Sequence, residues 1–91
     1  IGLAGGIAGA VRTIAEFEQT MSAVQAVTRS TQGQIGELTE EARRLGAVSV
    51  FSAREAADGM RFLGQAGWNT TPIMAGMEDM LKLKTAEKAA A

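Results

Sequence analysis

Apolar side chains in this chain recur three and four residues apart almost from end to end, which is the period of an α-helix with one greasy face. No stretch keeps up the strict alternation of a half-buried strand, so the pattern predicts an all-α fold. Residues that start and stop helices interrupt it three times. Short helices joined by tight turns are therefore expected, with consecutive helices folding back as hairpins rather than running as one rod. Such helices also suit membership of a larger oligomeric helical assembly.

The first helix is predicted over about 6–27, with Ile7, Ala10, Ile14, Phe17, Met21 and Val24 on one stripe and Arg12, Glu16, Gln19 and Ala23 opposite. This alternation of threes and fours fits a coiled-coil seam and equally the inner face of one bundle helix; both readings stay open. Arg29 to Gly33 breaks the pattern, and Thr31 with Gln34 three positions on forms a capping box. It opens a second helix over 32–45, carrying Ile35, Leu38, Ala42 and Leu45. Gly46 is expected to close that helix in the left-handed conformation. Glu37, Glu40 and Glu41 precede Arg43 and Arg44, the order that suits the helix dipole and allows a Glu40–Arg44 pair on a hydrated face.

Ala47 to Phe51 reads as a connector without a partner strand. Ser52 with Glu55 makes a second capping box, opening a third helix over 53–66. Ala56, Met60, Leu63 and Ala66 or Gly67 form its stripe, and Arg54, Asp58 and Arg61 its outer face. Gly67 should close it, leaving Trp68 and Asn69 in the turn. Thr71 is then the expected N-cap and Pro72 the first residue of a fourth helix over 72–84, with Ile73, Met77, Met80 and Leu81 inward.

A formal net charge of −1 leaves no field to gather nucleic acid, so none is expected to bind this segment. Without His, Cys or Tyr the commonest acid-base, nucleophilic and metal-ligating groups are missing. Ser22, Ser30, Ser49 and Ser52 have no His to activate them, and a Ser–Lys pair is not suggested, since all three Lys lie beyond residue 81. Glu37, Glu40 and Glu41 alternate with helix formers beside arginines, unlike a calcium loop. No catalytic residue, cofactor or metal is expected, and the chain does not read as an enzyme.

Two features point to interaction instead. The apolar run Ile1 to Val11 is shorter than the ~20 residues of a membrane span, yet Gly2/Gly6 and Gly5/Gly9 are small pairs four apart that permit close helix approach, in a protein bundle or, were the run longer, in lipid. Met21, Met60, Met74, Met77 and Met80 suit either an irregular core or an adaptable surface. With 91 residues and no initiator Met, the chain is expected to be a single helical fragment of a longer protein.

Three stretches carry a family resemblance: Phe17-Glu18-Gln19-Thr20-Met21 running into Val24 and Val27; Leu38-Thr39 through Ala42-Arg43-Arg44-Leu45-Gly46; and Phe51-Ser52-Ala53 through Glu55-Ala56-Ala57, Met60, Phe62-Leu63 and Ala66-Gly67-Trp68. In this order and spacing they resemble the recurring helical segment of phage tail tape measure proteins of the lactococcal-phage type. Trp68 stands where that segment usually has Phe, and Leu81-Lys82-Leu83-Lys84 where it has Leu-Asp-Leu-Ala.

The resemblance implies a structural role in the virion: a long helical chain in the tail lumen that templates tube assembly, sets tail length and leaves through the tip at infection. It implies tail tube and tail tip proteins as partners, a homo-oligomer inside the tail, and residence in the host cytoplasm during assembly. Phe17, Met21, Leu45, Gly46, Phe51, Ser52, Phe62, Leu63, Gly67, Trp68 and Pro72 are the expected structural anchors. Two other readings remain: a membrane-active segment that aids genome delivery through the glycine-rich first helix, and a generic helical adaptor.

Overall fold

A computed structural model describes the backbone of residues 2–90 and the side chains of residues 12–87. Four helices follow one another, α1 (Gly2–Thr28), α2 (Gln32–Val48), α3 (Ala53–Gln65) and α4 (Thr70–Ala90), and no strand occurs among the described residues. Each end has a local chemical cause.

α1 closes without a glycine. Arg29 takes the left-handed conformation at φ 55°, and the Ser30 N–H donates back to the Gln25 carbonyl at 3.2 Å. The Cβ of an L-residue makes this conformation costly, by roughly 1–2 kcal/mol. α2 opens on the capping box: Thr31 Oγ1 accepts from the Gln34 N–H at 3.2 Å, and Gln34 Oε1 from the Thr31 N–H at 2.9 Å.

Gly46 does not end α2, which continues to Val48, with the Ser49 N–H bonded to the Leu45 carbonyl at 3.0 Å. Its lack of a side chain serves packing, because a Cβ there would lie 2.5 Å from the Ala53 nitrogen. The glycine lets the end of α2 touch the start of α3.

Ser52 caps α3 as Thr31 caps α2, with Glu55 reaching back to the Ser52 N–H at 2.9 Å. The helix ends at Gln65. Gly67 is left-handed at φ 99°, and the N–H groups of Gly67 and Trp68 donate to the Gly64 and Leu63 carbonyls at 3.0 and 2.9 Å. α4 then begins at Thr70, earlier than Pro72 suggested. The Ile73 N–H bonds to the Asn69 carbonyl at 3.2 Å, so Asn69 rather than Thr71 holds the capping position. Pro72 is still within the first turn, where a missing N–H costs nothing.

α3 is the central element, packed against the other three, and its main partner is α1. Arg54 reaches Glu16 at 2.7 Å, and Gly64 lies against Val27 and Thr28 eleven residues further along α1, so α1 and α3 run parallel. Gly59 faces Met77 and Met80, and Arg44 reaches Glu78, which ties α4 to both α3 and α2. α1 meets its sequence neighbour α2 more sparingly, where the Arg43 guanidinium sits 5.7 Å from the centre of the Phe17 ring.

The core draws on every helix: Phe17, Met21 and Val24; Leu38, Ala42 and Leu45; Ala56, Ala57, Met60 and Leu63; Ile73, Met77 and Leu81. Leu38, Leu45, Met60 and Ile73 are wholly enclosed, each contributing about 1.5–3 kcal/mol of transfer free energy. Ile14 departs from the predicted stripe, with 58% of its surface exposed, because it lies beyond the level at which α3 begins. Ile7 and Ala10 fall outside the described side chains. Instead of a Glu40–Arg44 pair, α2 carries Glu40–Arg43 at 3.1 Å and Glu41–Arg44, both three residues apart, leaving Arg44 free to reach α4 as well.

Candidate functional site

Chemistry-bearing groups do not converge. Among the described residues no set of three His, Cys, Asp or Glu side chains is placed to hold a metal ion. The strongest electrostatic feature is Arg44, whose pKa is raised by its hydrogen bond to Glu41 and by the nearby Glu41 and Glu78 charges. That arrangement keeps an arginine cationic, as it is anyway, and fastens α2 to α4.

Apolar surface is what the molecule does present. Between the end of α2 and the face of α4 lies a cleft of about 500 Å³ floored by Leu45 and Leu81 and rimmed by Val48, Val50, Lys82 and Thr85. Val48 and Val50 are 64% and 60% exposed. They extend into solvent because α2 ends there and the chain must turn to start α3. The sequence treated these two residues only as a connector, although a pair of β-branched side chains between polar turn residues is itself a signal of unsatisfied apolar surface.

The expected anchors divide accordingly. Phe17, Met21, Leu45 and Leu63 lie in the core, and Phe51 is partly buried against it. Ser52 and Gly67 shape the two ends of α3, and Gly46 seats α2 on Ala53. Pro72 is exposed on the first turn of α4. Trp68 lies with its ring against Gly76, where a Cβ would be 3.1 Å away, and stays 40% exposed. Phe62 does not anchor the core, since 67% of it faces solvent. Its position is about 120° round the helix from Ala56, while Met60 and Leu63 stay close to the Ala56 line.

Buried hydroxyls were not foreseen. Thr28, Ser30 and Thr70 are nearly enclosed where α1 ends and α4 begins, and they bond to one another. Thr28 continues the Met21–Val24 spacing, so periodicity was the signal that could have found it.

No helix among the described residues is long and apolar enough to cross a membrane. The side chains of the small-residue pairs in Ile1 to Val11 fall outside the described residues.

The described residues form an all-helical module that carries apolar side chains on its surface. Residues 39–91 match the family model of phage-related minor tail proteins. Over 81 residues, 89% of this chain, the sequence is 40% identical to the tape measure protein of Pneumococcus phage Dp-1, and the match spans 7% of that protein's length. The chain belongs to the phage tail tape measure proteins and is a structural component of a phage tail. No solved structure matches it.

Proposed function

We propose that this segment is a folded packing module of a tape measure chain that lies in the tail lumen, templates polymerisation of the tube and leaves through the tip at infection. The observation that carries the reading is the 40% identity to a named tape measure protein over nearly the whole chain, at only 7% of that protein's length. A helix advances ~1.5 Å per residue, so the many residues of such a parent convert into distance. This segment contributes little length itself, since it turns back at residues 29–31, 49–52 and 66–69.

Its role in that reading is contact. The buried anchors Phe17, Met21, Leu45 and Leu63 hold the module together, while Phe62, Trp68, Val48 and Val50 offer surface to tail tube or tail tip proteins or to other copies inside the tail. Assembly in the host cytoplasm precedes residence in the virion. The test is to delete this segment from the parent gene and examine particles by electron microscopy. A packing module predicts failed or irregular tails; tails that are well formed and shortened in proportion to the residues removed would refute it.

A further inference from the structure

One pole of the bundle is unfinished. α3 starts beside Glu16, and Gly64 near its end meets Val27 and Thr28, so the part of α1 before Glu16 runs past the start of α3. α2 comes back to the same pole, where Gly46 touches Ala53. α4 sets out from the other pole, where Thr70 bonds to Ser30, and passes Gly59 at Met77 and Met80 on its way back. Six large hydrophobic side chains stand exposed among the described residues, and four of them, Ile14, Val48, Val50 and Leu83, lie at the pole where α3 starts.

The cleft between α2 and α4 opens there. Its α4 wall is made by Glu78, Leu81, Lys82 and Thr85, spaced three and four apart on one helix face. Leu81 is also a core residue, so the apolar interior reaches the surface along this face. The rim carries two charges of unlike standing. Glu78 is paired with Arg44 at 3.4 Å, whereas Lys82 has no ion pair among the described residues. A groove between two helices, with aliphatic walls and one unmatched cation, fits a third helix that brings aliphatic side chains and a carboxylate.

Topology decides where that helix comes from. The 81 matched residues make up 7% of the Dp-1 protein, so in a parent of comparable length most of the chain lies outside these four helices. α4 is helical to Ala90, and chain that continues from it is delivered at the pole where the cleft opens. A turn of about 2–8 residues folds a following helix back antiparallel, against Glu78 to Thr85. Chain entering through α1 has no such route, because none of the described side chains of α1 lines the cleft.

We propose that in the full-length protein the cleft is covered by the next helix after α4, folded back on Leu45, Val48, Val50 and Leu81 with an Asp or Glu set against Lys82. This cover rests on the tape measure reading for the length of the parent chain. It gives Val48 and Val50 to the parent's own fold and leaves Phe62 and Trp68 as the surface for other proteins.

The test uses a full-length tape measure protein that carries this segment, with a genetically encoded benzoylphenylalanine in place of Val50. Illumination should give a product of monomer mass, and mass spectrometry should place the crosslink within about 30 residues after Ala91, the span of one turn and one helix. A Val48→Cys thiol, read at that site by mass spectrometry, should react with maleimide on the order of tenfold more slowly in the full-length protein than in the 91-residue chain, since it is reached only when the cover opens. Lys82→Glu should speed that reaction about two- to fivefold in the full-length protein, as expected for an exposed ion pair, and Lys82→Arg should leave it unchanged. A crosslink to another copy, to a tube or tip protein or to a distant part of the same chain would overturn the proposal, as would equal labelling in the two proteins or indifference to Lys82→Glu. Tails shortened in proportion to a deletion would refute the packing role proposed above without moving this crosslink, so the two failures are told apart.

Discussion

Ser30 and Thr70, forty residues apart in sequence, share a hydroxyl–hydroxyl hydrogen bond of 2.8 Å that ties the first turn to the start of α4. The direction of the bonds follows from proton count. Thr28 donates to the Val24 carbonyl at 2.7 Å, so at 2.5 Å it accepts from Ser30, and Ser30 in turn accepts from Thr70. Each hydroxyl spends its single proton on the next acceptor, and no buried side-chain polar atom among the described residues is left without a partner.

Ser30→Ala removes the middle link and leaves Thr70 without its acceptor and Thr28 without its donor, in a nearly dry setting. The expected cost is about 1–3 kcal/mol, read as a lower urea midpoint with unchanged slope. Thr70→Val keeps the shape and deletes only the terminal donor, so it should cost about 1 kcal/mol. Equal losses for the two variants would show that the chain of bonds is not shared as described.

Glycine substitutions should divide by packing rather than by helix propensity. A Cβ at Gly46 would lie 2.5 Å from the Ala53 nitrogen, and one at Gly64 would lie 2.6 Å from Val27 Cγ2. Gly46→Ala meets backbone and should lose about 1–3 kcal/mol despite a propensity gain of about 1 kcal/mol. Gly33→Ala and Gly36→Ala meet nothing within 4 Å and should each gain about 0.5–1 kcal/mol. Thermal unfolding of the three single variants decides it.

The two capping boxes make a smaller, local prediction. Thr31→Ala and Ser52→Ala each remove the oxygen that accepts a first-turn N–H, at an expected cost of about 0.5–2 kcal/mol. Replacing either by Asn should restore most of it, because that residue also caps. Loss of amide protection confined to the first turn of α2 or α3, measured by hydrogen exchange, is the signature that separates a frayed cap from a damaged core.

Features set by a few consecutive residues were legible in the sequence. Both capping boxes, the Gly67 stop and the inner stripes of α2 and α3 depend on neighbours three or four positions away, so they could be read without knowing what packs where. Gly46 was misread because a glycine after an apolar stripe looks the same whether it supplies a left-handed turn or a close approach. The answer lies in where α3 starts. Ile14 shows the same limit: periodicity identifies the inward face of α1, but not how far along it α3 supplies a partner. For the apolar surface at Val48, Val50 and Phe62, sequence gave composition and left exposure to the packing.

Phe62 offers the sharpest separation of folding from contact. Most of its ring is in water, so Phe62→Ser removes little packing from the bundle and should change stability by less than about 0.5 kcal/mol. Leu38→Ala, in a wholly enclosed site, should cost about 2–5 kcal/mol through lost transfer energy and the cavity left behind. In a full-length tape measure protein that carries this segment, the proposed contact role predicts that the two variants fail differently: the Leu38 change through loss of folded protein, the Phe62 change through poor tail assembly with the protein present at normal level. Urea unfolding of the isolated chain, set beside particle counts and immunoblots from the phage, reads both. A Phe62→Ser phage with normal tails would remove this side chain from the contact surface, leaving Val48 and Val50 as the exposed apolar pair to change next.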